Sequence, residues 1–374
     1  MPSSSSEIKA TLRVIKSEVR TLDANVDEKL KNYKTDNKDA IDNIARSYKS
    51  NNLVLVLGAG VSKDFGIPSW NVLLQKILND TFQIETDNSE KGALVLAEIF
   101  TKVFPLSPLI AARYLEEYYE NKGDKDFNEA VEEALYENFN LSSDSENFNE
   151  IAKLCETSEG SHRLDSVITY NYDNILEKAI SSLPKKVSFR TIYKSDQIPE
   201  SNELPIYHVH GFKPANSNKK SKITLSESIY HQQYRDIYSW DNITQINKFR
   251  DKTCLFIGIS LTDPNLRRLL DVANIQRGKN NRKYHYIIRK RYDIDKIKNK
   301  IKTILDQNQE LLNEKREANL ELDDTTKHII NIMHNFEEKD ALSLGTRTIW
   351  IDKYDEISDV IKEIRNKSEH ESFA

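Results

Sequence analysis

Residues 53–69 read L-V-L-V-L-G-A-G-V-S-K-D-F-G-I-P-S, five apolar residues running straight into Gly-Ala-Gly. An unbroken apolar run of this length fits a strand buried on both faces of a parallel sheet, where no alternation with polar residues is needed. Glycines directly after such a strand let a ligand approach the backbone closely, and unpaired N–H groups at a following helix N-terminus attract phosphate. Gly58 and Gly60 provide the approach, and Ser62 adds a hydroxyl. Neither common phosphate-binding fingerprint is met. A dinucleotide loop needs a third glycine where Lys63 stands, and an acidic residue about twenty positions further on. Asp80 has that spacing but lies in the helical L-L-Q-K-I-L-N-D-T-F. A Walker loop needs Gly-Lys followed by Ser or Thr, which occurs nowhere in the chain.

Working outward, further strands are predicted at Ser166–Thr169, Leu204–Val209, Thr253–Ile257, Tyr284–Ile288 and Thr346–Ile351. Helical patterns separate them. The stretch from Trp70 to about Phe148 is helical and aromatic-rich, and residues 293–340 form a charged helical insertion with Ile294, Ile297, Ile301 and Ile304 on one face. Strands alternating with helices give a doubly wound, Rossmann-like parallel sheet with a helical insertion module and no zinc ribbon.

Before the first strand, residues 7–49 contain no proline or glycine. Ile8, Leu12, Ile15, Val19, Leu22 and Val26 fall at alternating spacings of four and three, and Leu30 and Tyr33 continue the seam after one slip. The pattern fits an amphipathic helix packed on its own domain, and equally a coiled-coil arm joining subunits. The expected division is an arm at 1–49, a catalytic domain at 50–365 with a helical module at about 71–160, and a tail at 366–374.

Three more loops follow predicted strands. Thr169-Tyr170-Asn171-Tyr172-Asp173-Asn174 ends the second, and Asn171 or Asp173 would serve there simply as a helix cap. His208-Val209-His210-Gly211 ends the third, its two histidines alternating to opposite faces. Gly258-Ile259-Ser260-Leu261-Thr262-Asp263 ends the fourth, where Asp263 would equally well cap the helix P-N-L-R-R-L-L. In open α/β sheets ligands bind at the carboxyl ends of the strands, so four polar loops at that edge point to one site.

Composition excludes several classes. The chain of 374 residues is 38% hydrophobic and 30% charged, with a net charge of −5. That balance gives no electrostatic reason for autonomous nucleic-acid binding. Its two cysteines, Cys155 and Cys254, cannot supply a four-cysteine zinc site and suit a reducing compartment. Neither an N-terminal signal core nor an apolar run of membrane-spanning length occurs, so a cytoplasmic protein is expected.

In order, the motifs are G-A-G-x-S-x-x-x-G-I-P, T-x-N-x-D, H-G and a late G-x-S. Over about residues 50–290 this set resembles the sirtuin-like superfamily. The resemblance implies that Gly58, Ala59, Gly60, Ser62, Gly258 and Ser260 bind NAD, and that Asn171 and His210 serve catalysis. Asp173 would orient a ribose hydroxyl or brace its loop, and Asp263 would reach the adenosine ribose or cap a helix. Two departures point away from acyl-lysine deacetylation. The four-cysteine zinc module is missing, and Ser69-Trp70-Asn71 replaces the acidic-aromatic-arginine run that follows Gly-Ile-Pro in deacylases. The T-Y-N-Y-D and G-I-S-L-T-D forms are similar to the bacterial sirtuin-like NAD hydrolases of antiphage defence.

That likeness implies NAD as substrate, no metal, a homo-oligomer, and a partner such as a hexameric helicase-like ATPase or a short Argonaute. Cleaving the nicotinamide–ribose bond passes through an oxocarbenium-like state, and the neutral leaving group needs no general acid. His210 would act as general base while Asn171 holds the water or the ribose hydroxyls. The alternatives are an NAD-dependent deacylase and a non-catalytic NAD or ADP-ribose sensor.

Overall fold

The computed structural model describes residues 37–86, 90–104, 106–122, 125–158, 161–162, 164–215, 223–278, 284–317 and 320–370. In chain order, helix α1 (37–49) leads into β1 (Leu53–Leu57) and two short 3-10 turns, Ala59–Val61 and Lys63–Phe65. A helical module follows: α2 (Trp70–Thr86), α3 (Glu90–Val103), α4 (Pro108–Lys122), α5 (Phe127–Tyr136) and α6 (Glu146–Leu154). A two-stranded hairpin, β2 (Thr157–Ser158) and β3 (Ser161–His162), precedes β4 (Leu164–Thr169) and α7 (Ile175–Ser181). Next come β5 (Phe189–Ile192), β6 (Leu204–His208), α8 (Glu227–Arg235), α9 (Trp240–Asp251), β7 (Thr253–Ile257), α10 (Pro264–Arg277) and β8 (His285–Lys290). The charged insertion is α11 (Ile294–Gln307), α12 (Gln309–Glu317) and α13 (Leu322–Ser343); β9 (Thr346–Ile351) and α14 (Glu356–His370) complete the fold.

Seven strands form one sheet in the order β5-β6-β4-β1-β7-β8-β9, every pairing parallel. The fold is therefore α/β and Rossmann-like, as the strand spacing predicts. From β1 the chain winds outward through β4 on one side, then returns to β7 on the other side of β1. The crevice above β1 is the topological switch point, where such sheets bind ligands.

The opening apolar run is explained by its two faces. Leu53, Leu55 and Leu57 join one core, shared with α1, α2 and α6. Val54 and Val56 join the other, against Phe249, Leu266, Leu269 and Leu270 of α9 and α10. All five strand residues are at most 1% exposed. Each such side chain gives about 1.5–3 kcal/mol on burial, which fixes β1 at the sheet centre.

The expected boundary at residue 49 falls at the end of α1 and separates this helix from the body it packs on. Ala40, Ile41, Ile44, Ala45 and Tyr48 of α1 are buried in the same core as β1, so α1 belongs to the domain body. The seam from Ile8 to Tyr33 lies outside the described residues. Similarly, α14 runs past residue 366, with Ser368 buried and Lys367 paired to Asp42 of α1. Among the described residues, no helix is long and apolar enough to cross a membrane.

Candidate active site

Loops after β1, β4, β6 and β7 meet over the switch point around a cavity of about 360 Å³. Gly58, Ala59, Gly60, Asn171, Asp173, His210, Gly258, Ser260 and Asp263 all line it. Nine of the ten expected site residues are therefore brought together. Ser62 is the exception.

The glycine loops after β1 and β7 pack backbone to backbone. Gly60 N–H donates to Gly258 O at 2.9 Å, and a Cβ on Gly60 would lie 2.7 Å from Gly258 Cα. Gly258 has φ +68°, and its own Cβ would meet Val61 N at 2.7 Å. Side chains are excluded here by the neighbouring loop, before any ligand is considered. One expectation needs correcting. The loop coils into 3-10 turns, and the N–H groups of Gly58, Gly60, Val61 and Ser62 are all used inside the protein. They form no open anion cradle at a helix N-terminus; what the loop offers a ligand is closeness.

Ser62 is 1% exposed and does not line the cavity. Its Oγ instead accepts a hydrogen bond from Asn171 Nδ2 at 2.9 Å. It reaches the cavity through residues that line it, Asn171 and Asp173, where direct contact was expected. The Asn171 N–H donates to Thr169 Oγ1 at 3.1 Å, so the loop turns sharply off β4. With its nitrogen held, the Asn171 amide leaves Oδ1 buried and without a partner among the described residues.

Asp173 Oδ1 accepts from Ile175 N–H at 3.0 Å, bracing the turn into α7. Burial pushes its carboxyl up, and the Ile175 N–H and the Ser62 hydroxyl oppose that rise. Its Oδ2 is buried without a hydrogen-bond partner among the described residues.

The two histidines separate as the strand alternation implies. His208 is 1% exposed and spans two groups, Nε2 to Glu177 Oε1 at 2.8 Å and Nδ1 to Asn171 O at 3.0 Å. It is a brace beneath the Asn171 loop. His210 points into the cavity, its ring edge-on to Tyr170 with centroids 4.6 Å apart. Gly211, at φ +99°, makes the turn that ends the strand and aims His210. Burial lowers the His210 pKa, while Asp263 and Asp241 act in the opposite direction. Its Nε2 is buried with no hydrogen-bond partner among the described residues, and Asp263 Oδ2 stands 3.7 Å away.

Asp263 takes the helix-capping role expected of it. It caps α10 through Oδ1, which accepts from Leu266 N–H at 2.7 Å, and Pro264 occupies the first helical turn. It also lines the cavity, where Oδ2 accepts from the Tyr230 hydroxyl. Ser260 lines the rim, its hydroxyl 2.7 Å from that of Thr262.

Sequence reading missed the aromatic walls. Tyr230 of α8 and Trp70 of α2 stack with centroids 6.2 Å apart and an interplanar angle of 22°. Trp70 Nε1 is buried without a hydrogen-bond partner among the described residues. Trp70 had a signal, since it directly follows Gly-Ile-Pro-Ser; Tyr230 had none, because it arrives from a helix remote from every loop motif. Among the described residues, no group of three or more His, Cys, Asp or Glu is placed to hold a metal ion.

Comparison with known proteins agrees with this geometry. The SIR2-like domain family matches residues 165–316, a span holding Asn171, His210 and Asp263 but not the first glycine loop. The chain is similar to the NAD(+) hydrolase ThsA of Enterococcus faecium, 26% identical over 338 residues, covering 89% of this chain and 59% of that protein. ThsA of Bacillus cereus (strain MSX-D12) is 22% identical over 336 residues, 87% of this chain and 56% of the relative. ThsA of Acinetobacter baumannii is 24% identical over 264 residues, 69% and 46%. The chain spans about half the length of the curated relatives it matches.

Proposed function

We propose that this protein is an NAD glycohydrolase, cleaving NAD to nicotinamide and ADP-ribose. One observation carries the reading: two buried polar atoms without partners among the described residues, Asn171 Oδ1 and His210 Nε2, belong to side chains lining one cavity beside the interlocked glycine loops. A buried polar atom left unpaired costs about 1–3 kcal/mol, so such atoms mark where a ligand supplies the missing bonds. Water and ribose hydroxyls are donors of the required kind. The relatives named NAD(+) hydrolase support the same substrate.

In this reading the glycine loops admit the dinucleotide and Asn171 Oδ1 accepts from a ribose hydroxyl or the attacking water. His210, kept neutral by burial, takes the water's proton. The nicotinamide leaves as a neutral base. The aromatic walls Trp70, Tyr170 and Tyr230 limit entry of other water and favour a flat ring.

The test is product chromatography of NAD incubated with the purified protein, alone and with the products of neighbouring genes. Nicotinamide and ADP-ribose should appear, and Asn171→Ala and His210→Ala should abolish them while keeping the native circular dichroism. An acyl-lysine peptide in the same assay separates the deacylase reading. NAD-dependent deacylation without free ADP-ribose would displace the proposal.

We further propose a cytoplasmic role in antiphage defence, with activity gated by self-association and by a partner, a hexameric helicase-like ATPase or alternatively a short Argonaute. Ile304, Ile329, Met333 and Phe336 of the insertion are exposed, which supports a contact surface there. Co-purification with the partner would test it, and a protein fully active alone would count against it.

A further inference from the structure

We propose that Asp263 is a second catalytic acceptor, holding the attacking water jointly with His210; this rests on the NAD-cleavage reading above. Asp263 Oδ2 and His210 Nε2 are 3.7 Å apart. That is too long for a direct hydrogen bond, yet one water oxygen can stand about 2.8 Å from both. Among the described residues His210 Nε2 is buried and unpartnered, and Asn171, its Oδ1 also unpartnered, lines the same cavity.

Helix capping does not account for the whole carboxylate. Capping uses Oδ1, through Leu266 N–H. Oδ2 is turned toward His210 and fixed there by the Tyr230 hydroxyl, whose ring is in turn stacked on Trp70. A cap alone needs neither support.

With its two protons directed at the two acceptors, the water presents a lone pair to the ribose C1′. The C1′–N1 bond breaks, its electron pair staying on the nicotinamide nitrogen, while the water oxygen bonds to C1′. One proton passes to His210 Nε2. The other remains on the new hydroxyl, hydrogen-bonded to Asp263. The imidazolium so formed faces the Asp263 carboxylate, which offsets the cost of a charge in a buried site. Loss of that proton to solvent resets the enzyme.

Asp263→Asn tests this, because asparagine caps helices about as well as aspartate and preserves folding. The expected result is a loss of at least about tenfold in kcat with KM nearly unchanged. The groups facing His210 are Tyr170 at the end of β4, Tyr230 of α8, Asp241 of α9 and Asp263. Only the last is altered, so the acid limb of kcat/KM should move to lower pH. Tyr230→Phe, which strips a donor from the carboxylate, should move it to higher pH. NMR titration of His210 in the unliganded protein reads the same shifts without turnover.

A His210 titration unmoved by Asp263→Asn overturns the proposal, whatever the activity. Raised KM with unchanged kcat also overturns it, placing the carboxylate on the ribose. A wild-type protein that leaves NAD intact in every assembly overturns the underlying reading and the proposal with it.

Discussion

Asn171 Nδ2 donates to Ser62 Oγ at 2.9 Å, and this bond decides which end of the Asn171 amide faces the cavity. Both residues are buried, so no solvent competes for the amide. Held this way, the site presents an acceptor, Oδ1, where a rotated amide would present a donor. Ser62→Ala should therefore lower kcat by roughly ten- to a hundredfold, and stability by about 1–3 kcal/mol for the unsatisfied group. NAD turnover beside a urea melt measures both. Wild-type turnover would show that Asn171 is oriented by its backbone alone.

His208 lies beneath the same loop, between Glu177 and the Asn171 carbonyl. His208→Ala removes two buried hydrogen bonds and leaves Glu177 with only Thr191 Oγ1 among its described side-chain partners. The expected cost is about 2–4 kcal/mol in unfolding free energy, because breaking a buried network outweighs loss of a surface contact. Residual NAD cleavage should survive at low temperature, unlike in His210→Ala. The comparison separates brace from base. A His208→Ala protein with a native melting curve would remove the bracing role.

Most of the sheet was legible because β1 and β7 are apolar runs buried on both faces, and β4, β6, β8 and β9 each carry a shorter apolar stretch. β5 was missed: Phe189–Ile192 is an edge strand, and only Ile192 is buried. For the seam from Ile8 to Tyr33, before α1, the sequence pattern alone could not decide, since a seam packed on its own domain looks the same as one packed on another subunit. At the site, residues that follow strands were readable and those delivered by helices were not. Tyr230 and Trp70 reach the cavity only because α8 and α2 fold over the sheet edge. The turn of Ser62 toward Asn171 depends on how two loops pack, which no local spacing encodes.

The backbone contact between the first and last site loops gives a sharper test. Gly258→Ala must place a Cβ 2.7 Å from Val61 N while keeping φ at +68°, a region costly for any other residue. The loops must part, so the cavity is distorted together with its walls. NAD affinity should fall by more than tenfold, with a destabilisation above about 1 kcal/mol. Gly278→Ala is the control: it shares a positive φ, but its Cβ meets nothing within 4 Å among the described residues, and it should leave NAD affinity unchanged. Calorimetry of NAD binding to both variants, each on an inactive His210→Ala background, reads the difference. Equal affinities would mean that the interlocked loops do not shape the ligand site.

Acid should unfold this protein earlier than its carboxylates require, and His285 is a principal reason. The ring is 2% exposed, accepts from Cys254 N–H at Nδ1 over 3.1 Å, and lies against Phe249 and Phe256. Burial, with help from Arg277, holds its pKa well below the ordinary 6.5, and a backbone hydrogen bond with Phe249 only partly opposes this. An unfolded chain would protonate this imidazole near 6.5, whereas the folded chain resists until much lower pH. Between those values the unfolded state binds more protons, so stability is intact above about pH 6.5 and falls as pH drops through it. His210 is shifted in the same direction and adds to the slope. Each histidine fully in this regime contributes about 1.4 kcal/mol per pH unit. Asp165, held low by Lys248 and Lys252 although burial opposes them, loses its contribution only as pH falls below the ordinary carboxylate value, 3.8. Urea midpoints at pH 7.5, 6.5 and 5.5 should therefore fall across the last interval. In His285→Gln, which keeps an acceptor for the Cys254 N–H, the fall should be shallower by about one proton's worth. A wild-type midpoint that stays level down to pH 5.5 would contradict this account of the buried histidines.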